Sequence, residues 1–528
     1  MNGTLGRLRG LGPTLALAAL AGAAGVVGSY AAAGFTPSFV VAPIDGYLAA
    51  VAPGAVVTFA ITVLGDLGQR VALLTAVALA VVTFGGLSLL GLIAGREFAV
   101  RADRPHAGPL VGPFAGALGV AALAFLLVPS VAPALSAGGA AAAVLVVGEA
   151  GRRPSTGASP EGRRTVLTGL AGALGVGLVG YLLGGSGARG SNGTNVGSTG
   201  SAGESGAEAA GGSSAGADGS MDPDVQELLD GAAERTLPVE GIEPLVSERF
   251  YNVDINSVNP RVRADSWSLR VTGAVEREFD LDYQALTVRE SREEFVTLRC
   301  VGDTLNGQKM DNALWTVTDI EPLLEEAGVT ADSEQCCVQL HGADDYYVAF
   351  PLSALREGML AYRMNGAPLP PEHGAPVRAL VPGHWGEVNA KWITEIEVLD
   401  EEVKGYWEQK GWHGTGPVTP VAKLHATNRL DDGRMELGGH AYAGTRGVST
   451  VEVSTDGGRS WSEATLSEPL PGDPRDAWRQ WIHRYDSPGA GHEVVVRMFD
   501  AEGNVQPREQ SNPYPRGASG WVRETIRP

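Results

Sequence analysis

The chain has 528 residues, more than one ordinary domain requires, and a formal net charge of −20 at pH 7. Residues 1–220 hold 11 Lys and Arg against 9 Asp and Glu, whereas residues 221–528 hold 29 against 51, so an apolar part precedes an acidic part. The acidity argues against a nucleic-acid partner, which binds basic faces. Three cysteines, two of them adjacent, exclude a disulfide framework.

Residues 1–184 predict a helical membrane domain in contact with lipid. Five segments are long and apolar enough to cross a bilayer, and a further apolar piece, residues 53–65, is short. With five spans, nine arginines of the loops fall on the cytoplasmic side, which is the usual bias. We therefore expect a multi-pass cell-membrane protein with an interfacial or re-entrant segment at 53–65 and an extracytoplasmic part after residue 184. The predicted spans are Leu11–Gly34, Val71–Gly95, Pro109–Pro129, Val131–Gly148 and Thr165–Gly184.

Two features surround the last predicted span. Arg163 and Arg164 precede it and are interpreted either as a twin-arginine export signal or as ordinary cytoplasmic arginines. Residues 185–220 are rich in Gly, Ser and Ala, which predicts a disordered linker. The membrane part holds one histidine, His106 in a loop, so its helices predict no haem ligands.

Residues 221–418 have the pattern of an α+β domain. The segment "DSWSLRVTGAVEREFDLDYQAL" predicts a strand, a turn at Gly273 and a second strand before a helix. The segment "VTDIEPLLEEAGV" predicts an amphipathic helix that ends at Gly328. The alternation in "EQCCVQLHG" predicts a strand with structural roles for Cys336 and Cys337.

Residues 419–515 predict an immunoglobulin-like β-sandwich, and residues 516–528 a tail. Short alternating strands such as "RMELGGHAYAG" and "HEVVVRMFDAEGNVQP" are separated by Asp-Gly and Gly-Gly turns, which is the usual spacing of hairpins in a sandwich.

Cys300 ends the β-like run of "VTLRCVGDTLNGQKMDNALW" and is followed by a polar loop. A lone cysteine is either buried filler or a ligand. Arg299 favours a thiolate, and Gly302 and Gly307 allow backbone to approach a bulky group. A second group of donors, interpreted as an anion site or as ordinary salt-bridged surface, comprises His373, Arg378, His384 and Lys391.

The segment "AYRMNGAPLPPEHGAPVRALVPGHWGEVNAKW" closely resembles the stretch that holds the pterin phosphate in the sulfite oxidase family of molybdopterin enzymes. "TLRCVGD" resembles the segment of that family whose cysteine binds molybdenum, and "GTRGVSTVEVSTDGGRSW" resembles its C-terminal immunoglobulin-like domain. The resemblance covers about residues 245–507. It implies a molybdenum-molybdopterin cofactor, a sulfite-oxidase-like catalytic domain and a homodimer through the C-terminal domain.

The resemblance also implies roles for individual residues. Cys300 is the expected molybdenum ligand, and Arg446 is expected to lend its guanidinium to the oxyanion pocket. Residues expected at the cofactor, besides Cys300, are Tyr251, Asn252, Asp303, Asp344, His373, Arg378, Asn389, Ala390 and Lys391.

Three departures from the family pattern concern the substrate. Trp412 stands where sulfite oxidases place a tyrosine beside the metal, and Asp303 stands where an asparagine is usual. "RFYNVD" also lacks an arginine of the substrate pocket. A pocket with one cation fewer attracts the sulfite dianion less strongly.

The leading hypothesis is a membrane-tethered, extracytoplasmic molybdopterin oxidoreductase that transfers an oxygen atom in two-electron steps, in the manner of sulfite oxidase. Its alternatives are a reductase of S-oxides or N-oxides, similar to methionine sulfoxide reductase, and a metal-free membrane-anchored binding protein. The sequence contains neither C-x-x-C-H nor a cysteine set for an Fe–S cluster, so no haem or cluster is expected. We therefore expect a separate electron carrier of cytochrome or cupredoxin type.

Overall fold

The computed structural model describes residues 2–103, 108–150, 221–330 and 337–528. These residues form two compact units, and neither unit is continuous in sequence. Unit 1 holds residues 2–52, 66–103, 108–150 and 254–260, and unit 2 holds residues 53–65, 221–253, 261–330 and 337–528.

The α-helices of the described residues concentrate in the first 150 residues, and short helices follow in the acidic part. In chain order they are α1 (Asn2–Ala33), α2 (Ala42–Val51), α3 (Gly54–Phe59), α4 (Asp66–Arg101), α5 (Gly108–Leu127), α6 (Val131–Ala150), α7 (Pro223–Arg235), α8 (Tyr283–Thr287), α9 (Glu321–Ala327), α10 (Leu352–Arg356) and α11 (Tyr406–Gln409). A π-helix, Ala60–Leu64, continues α3.

Unit 1 is an apolar helix bundle whose helices meet at glycines. A Cβ added to Gly91 of α4 would lie 2.2 Å from the amide nitrogen of Gly116 in α5, and one added to Gly22 of α1 would lie 2.3 Å from the carbonyl oxygen of Val81. Such close backbone approach is how small residues pack helices in bilayers.

Four helices of the described residues, namely α1, α4, α5 and α6, are long and apolar enough to cross a membrane. They coincide with four of the five predicted spans. The fifth, Thr165–Gly184, lies outside the described residues, as does the predicted linker at 185–220. The short apolar piece at 53–65 forms α3 and the π-helix. It adds a fifth span only if α2 and this piece together form one broken span.

The strands lie in unit 2. They are β1 (Ser268–Gly273), β2 (Phe279–Asp282), β3 (Arg292–Arg299), β4 (Met310–Asp319), β5 (Cys337–Gly342), β6 (Tyr347–Pro351), β7 (Met359–Met364), β8 (Ala367–Pro368), β9 (Arg378–Leu380), β10 (Ile393–Val398), β11 (Val421–Ala422), β12 (Ala426–Arg429), β13 (Arg434–Tyr442), β14 (Val448–Ser454), β15 (Ser462–Glu463), β16 (Thr465–Leu466), β17 (Arg479–Asp486), β18 (His492–Asp500) and β19 (Val522–Ile526).

The α+β part contains two five-stranded sheets. One has the order β2-β1-β10-β5-β6, and the other has the order β3-β4-β7-β8 with β9 also paired to β7. The predicted turn at Gly273 and helix end at Gly328 are both present, with φ of 88° and 65° respectively, values that favour glycine. Cys337 begins β5 and is buried, whereas Cys336 lies outside the described residues.

The C-terminal part consists of two antiparallel sheets around a shared core, with the orders β11-β13-β17-β16 and β15-β14-β18-β19. Buried residues from both sheets, such as Leu437 and Val496, belong to one hydrophobic cluster. The specifically immunoglobulin-like topology stays a prediction. The prediction of a tail at residues 516–528 is wrong, because Val522–Ile526 pairs with β18 and buries Val522 and Ile526 in this core.

Candidate active site

Cys300 lies at the end of β3, where the β3–β4 hairpin opens into the Cys300 loop, residues 300–309. The Cys300 amide donates to the Lys309 carbonyl at 3.0 Å, and the Asp303 amide donates to the Cys300 carbonyl at 3.2 Å. Only 9% of Cys300 is exposed. Burial raises the pKa of its thiol to about 11, so the metal-free site holds a neutral thiol. The loop thus presents one buried sulfur at a fixed backbone position.

Asp303 is held inside the same loop by Lys423. The two side chains form an ion pair with 2.5 Å between Nζ and Oδ2, and both are buried. The Lys423 ammonium also donates to the Gly307 carbonyl at 2.8 Å. The ion pair of Asp303 with Lys423 therefore holds the Cys300 loop in place.

Tyr251 connects the Cys300 loop to a neighbouring strand end. Its amide donates to Oδ2 of Asp311 at 2.8 Å. A Cβ on Gly386 would lie 2.8 Å from the Tyr251 hydroxyl and 3.2 Å from the Arg299 carbonyl, so these three groups meet at one point. Burial, with the charge of Cys300 as the next cause, raises the pKa of Tyr251 well above its usual value. The phenol is therefore a neutral hydrogen-bonding group.

Arg378, His373 and Asn389 form the inner part of a polar cradle. The Arg378 guanidinium donates to the His373 carbonyl at 3.2 Å and to the Asn389 carbonyl at 3.1 Å. The Asn389 side chain accepts from the Val381 amide at 2.7 Å, and Ala390 accepts from the Ala379 amide at 2.9 Å. Burial lowers the pKa of His373 to about 3, so its imidazole is neutral.

Lys391 and Asn252 form the outer part of the cradle. The Lys391 ammonium donates to Oδ1 of Asn252 at 2.5 Å and to the Glu372 carbonyl at 2.9 Å. A Cβ on Gly342 would lie 2.5 Å from Oδ1 of Asp344 and 2.8 Å from the Lys391 carbonyl, which places Asp344 beside this lysine. The structure thus brings the predicted pterin residues of three separate segments together.

Trp412 is buried, with 1% of its surface exposed, and its indole N–H has no acceptor among the described residues. A Cβ on Gly302 would lie 3.8 Å from the Trp412 ring and 3.8 Å from the Cys300 sulfur. An unpaired buried donor is costly, so the Trp412 N–H is a group that the oxygen of a bound ligand would satisfy.

Arg446 is held by the C-terminal part. Its guanidinium donates to the Val418 carbonyl at 2.8 Å and pairs with Asp500 at 3.3 Å. The structure shows no direct contact between Arg446 and Cys300, so its predicted role at the oxyanion pocket stays a prediction.

Three residues at this site carry no recognisable signal in the sequence. A Cβ on Gly302 would lie 2.7 Å from Cγ2 of Ile61, so the π-helix of unit 2 packs against the Cys300 loop. Glu387 and Glu408 lie near the same loop, and each side chain affects the pKa of the other. Ile61 is one apolar residue in an apolar stretch, and the glutamates are 21 positions apart in an acidic domain, so only tertiary contact distinguishes them.

Two family models match the acidic part of the chain. Residues 256–407 match the oxidoreductase molybdopterin binding domain, and residues 418–515 match the Mo-co oxidoreductase dimerisation domain. The mitochondrial sulfite oxidase of Drosophila melanogaster is 27% identical over 354 residues, which make up 56% of this chain and 62% of that protein. Over this stretch, the chain belongs to the sulfite oxidase family of molybdopterin-dependent oxidoreductases.

Other proteins similar to this chain are about as distant. Sulfite oxidase of Gallus gallus is 29% identical over 297 residues, covering 47% of this chain and 65% of its own length. Inducible nitrate reductase [NADH] 2 of Glycine max is 27% identical over 319 residues, covering 47% of this chain and 35% of its own length. The sulfane dehydrogenase SoxCD of Paracoccus pantotrophus aligns structurally with a TM-score of 0.45 and 21% identity, over 52% of this chain and 78% of that chain. The chain spans less than two thirds of the curated relatives' length.

The residues of this site fit the family's molybdenum cofactor. Cys300 offers a soft sulfur ligand of the kind that binds such metals, and the Trp412 N–H is a buried donor that lacks an acceptor among the described residues. A Cβ on Gly374 would lie 3.0 Å from Cβ of Lys391 and 3.1 Å from Cβ of Arg378, so only glycine allows the cradle to close around its cationic residues. A thiol, an orphaned donor and a closed cationic cradle are the groups that this cofactor requires.

Proposed function

We propose that this protein is a membrane-tethered, extracytoplasmic molybdopterin oxidoreductase that transfers an oxygen atom between water and its substrate, as a sulfite oxidase does. The observation that carries the proposal is the buried Cys300 thiol, which lies 3.8 Å from the point that a Cβ on Gly302 would occupy, with Cη2 of the Trp412 ring at the same distance from that point. Four apolar helices and the bias of the arginines support the membrane location and the orientation.

Bound molybdenum would supply the two-electron redox chemistry and the oxygen-atom transfer. The chain's own residues would bind the cofactor, orient the substrate and exclude water. Cys300 would hold the metal through its deprotonated sulfur, and the Trp412 N–H would donate to an oxygen of the substrate. The pterin and its phosphate are held by Tyr251, Asn252, Asp344, His373, Arg378, Asn389, Ala390 and Lys391.

Electrons are exchanged with a separate carrier of cytochrome or cupredoxin type, since the sequence has no motif for a haem or an Fe–S cluster. The match to the dimerisation domain supports a homodimer through the C-terminal part. Light scattering of the purified protein in detergent tests this state, and a monomer at micromolar concentration would contradict it.

One arrangement favours a second candidate, the reduction of a neutral S-oxide. The Lys423 ammonium is neutralised by Asp303, and the Arg446 guanidinium by Asp500. Lys309 is the cation whose charge acts on Cys300, and a site with this one cation attracts a dianion less strongly than a site with three, which favours a neutral substrate.

An assay with a redox dye separates these candidates. Purified, molybdenum-loaded protein is tested with sulfite and with methionine sulfoxide. Turnover of sulfite supports the first candidate, and S-oxide reduction alone overturns it. Wild type that contains no metal, although made in a molybdenum-replete native host, would instead support a metal-free binding protein.

Protease treatment of intact cells tests the orientation. Cleavage in the acidic part is expected, because that part is proposed to lie outside the cytoplasm. Complete protection in intact cells, followed by cleavage after lysis, would contradict the proposed topology.

A further inference from the structure

Glu387 and Glu408 bring two carboxyl groups together close to the active site. Glu387 belongs to a 3-10 helix, Gly386–Val388, and Glu408 belongs to α11. Each side chain affects the pKa of the other, and none of their four oxygens has a hydrogen-bond partner in the described part of the chain. Two neighbouring carboxyl groups that lack other donors can bond to each other only if one carries a proton.

The Glu387–Glu408 pair extends from the Cys300 loop toward the surface. A Cβ on Gly414 would lie 2.7 Å from Oε1 of Glu387 and 2.6 Å from Cγ2 of Val301, the residue after the cysteine. Glu387 is 9% exposed and Glu408 is half-buried, and the exposed His413 is among the groups whose charge acts on Glu408. The pair therefore has an inner member near the metal site and an outer member near solvent.

The surroundings keep a proton on the pair at neutral pH. Burial, then the charge of Glu408, raises the pKa of Glu387 well above its usual value, and burial also raises the pKa of Glu408. Besides His413, the titratable groups that face the pair are Cys300 and Tyr346, whose hydroxyl donates to the Glu387 carbonyl at 2.8 Å. Neither Cys300 nor Tyr346 is a cation, so neither would hold both carboxyl groups ionised.

We propose that the Glu387–Glu408 pair is the proton-transfer site of this oxidoreductase, with Glu387 facing the reaction and Glu408 exchanging with solvent. The inference rests on the proposed function. When water supplies an oxygen atom to the substrate, two protons and two electrons are released, and the electrons pass to the separate carrier. The singly protonated pair accepts each of the two protons at Glu387 and, for each proton accepted, releases one to solvent from Glu408. In S-oxide reduction the same steps run in reverse, and the substrate oxygen leaves as water.

Infrared spectroscopy of the full chain tests the shared proton without any metal. Metal-free wild type at pH 8 is expected to show the carbonyl stretch of a protonated carboxyl, and Glu387→Gln is expected to lose it. Glu402→Gln, a change at an exposed glutamate outside the pair, is the matched control and keeps the band. Absence of the band in wild type would overturn the proposal, whatever the enzyme turns over.

Kinetics of the molybdenum-loaded full chain test the transfer itself. Glu387→Gln is expected to retain molybdenum, to lower kcat about 100-fold and to remove one limb of the pH profile, since general acid–base catalysis contributes about 10²- to 10⁴-fold. Glu387→Asp is expected to restore part of the rate. Unchanged kcat and pH profile in Glu387→Gln would make the pair structural and overturn the proposal.

A substrate-independent measurement separates this proposal from the proposed function. Reduction with dithionite is expected to change the carboxyl band in loaded wild type, because reduction draws protons toward the metal site. A wild type that shows this change but oxidises no sulfite and reduces no S-oxide contradicts the proposed function only. A band that is insensitive to reduction contradicts the proton-transfer role.

Discussion

The Lys423 ammonium bonds the Asp303 carboxylate at 2.5 Å, with 0% and 5% of the two side chains exposed. Lys423 follows β11 of the C-terminal part, and Asp303 lies in the Cys300 loop. Asp303 replaces the amide expected from the family pattern, and Lys423 neutralises the extra charge. The two domains of unit 2 are thus joined by an ion pair that involves the loop of the proposed metal ligand, Cys300.

Removing one partner of this pair is expected to be strongly destabilising. Lys423→Met leaves a buried carboxylate without its cation, which costs about 3–5 kcal/mol in the free energy of unfolding. All ten tryptophans lie at or after residue 267, so tryptophan fluorescence during denaturant unfolding of the full chain in detergent reports on the acidic part. The double variant Asp303→Asn with Lys423→Met is expected to lose less than the two single losses added together. Additive losses would contradict direct coupling.

Cys300→Ser is expected to abolish molybdenum binding, because serine lacks the soft sulfur that the metal requires. Metal content of the purified protein is the measurement. Cys337→Ser is the matched control: Cys337 is also buried, and its sulfur donates to the Glu401 carbonyl at 2.9 Å. It is expected to retain the metal. Equal molybdenum in Cys300→Ser and wild type would exclude Cys300 as the ligand.

Trp412→Phe keeps an aromatic ring but removes the indole N–H. If that N–H donates to an oxygen in the reaction, kcat/KM is expected to fall about 10- to 100-fold, the equivalent of about 1.5–3 kcal/mol for a hydrogen bond to a charged group. The molybdenum content should not change. Trp461→Phe, in the connection between β14 and β15, controls for the loss of a tryptophan. Full activity in Trp412→Phe would show that the N–H has no role in turnover.

Gly302→Ala is expected to clash with Ile61, since the added Cβ would lie 2.7 Å from Cγ2 of that residue. Overpacking of this kind costs about 1–3 kcal/mol in the free energy of unfolding. Ile61→Ala removes the obstructing atom, so the double variant should recover part of the loss. Denaturant unfolding followed by tryptophan fluorescence measures each step. A double variant as unstable as the two changes added together would contradict the contact.

His440 makes the acidic part sensitive to acid. Burial lowers its pKa to about 3, whereas an unfolded histidine titrates near 6.5. Below about pH 6.5 the unfolded state binds a proton that the folded state does not, so this stability is complete above pH 6.5 and declines as the pH falls.

The difference in the free energy of unfolding between wild type and His440→Gln should therefore shrink between pH 6.5 and 4. The expected change is at most about 1.4 kcal/mol per pH unit. Urea unfolding at several pH values measures it. A difference that does not vary with pH would mean that His440 is not buried in its neutral form.

The sequence predicted those parts of the site whose residues are close together in the chain. Cys300 ends a strand as its pattern indicated, and the short segment from His373 to Lys391 folds back on itself, so its donors meet. Contacts between distant segments were not predictable, because Asp303 and Lys423 are 120 positions apart and Ile61 precedes Gly302 by 241. The strand Val522–Ile526 was missed because only its pairing with β18 distinguishes it from a tail.

Ile61 makes the acidic part depend on a residue that lies far before it in the sequence. Unit 2 draws residues 53–65 from a position that precedes three long apolar helices in the sequence. A gene fragment that begins at Met221 encodes both matched family domains but omits the side chain that packs on Gly302. Recombination at the predicted linker would therefore separate the Cys300 loop from a side chain that packs against it, so the two halves of this gene are expected to evolve together.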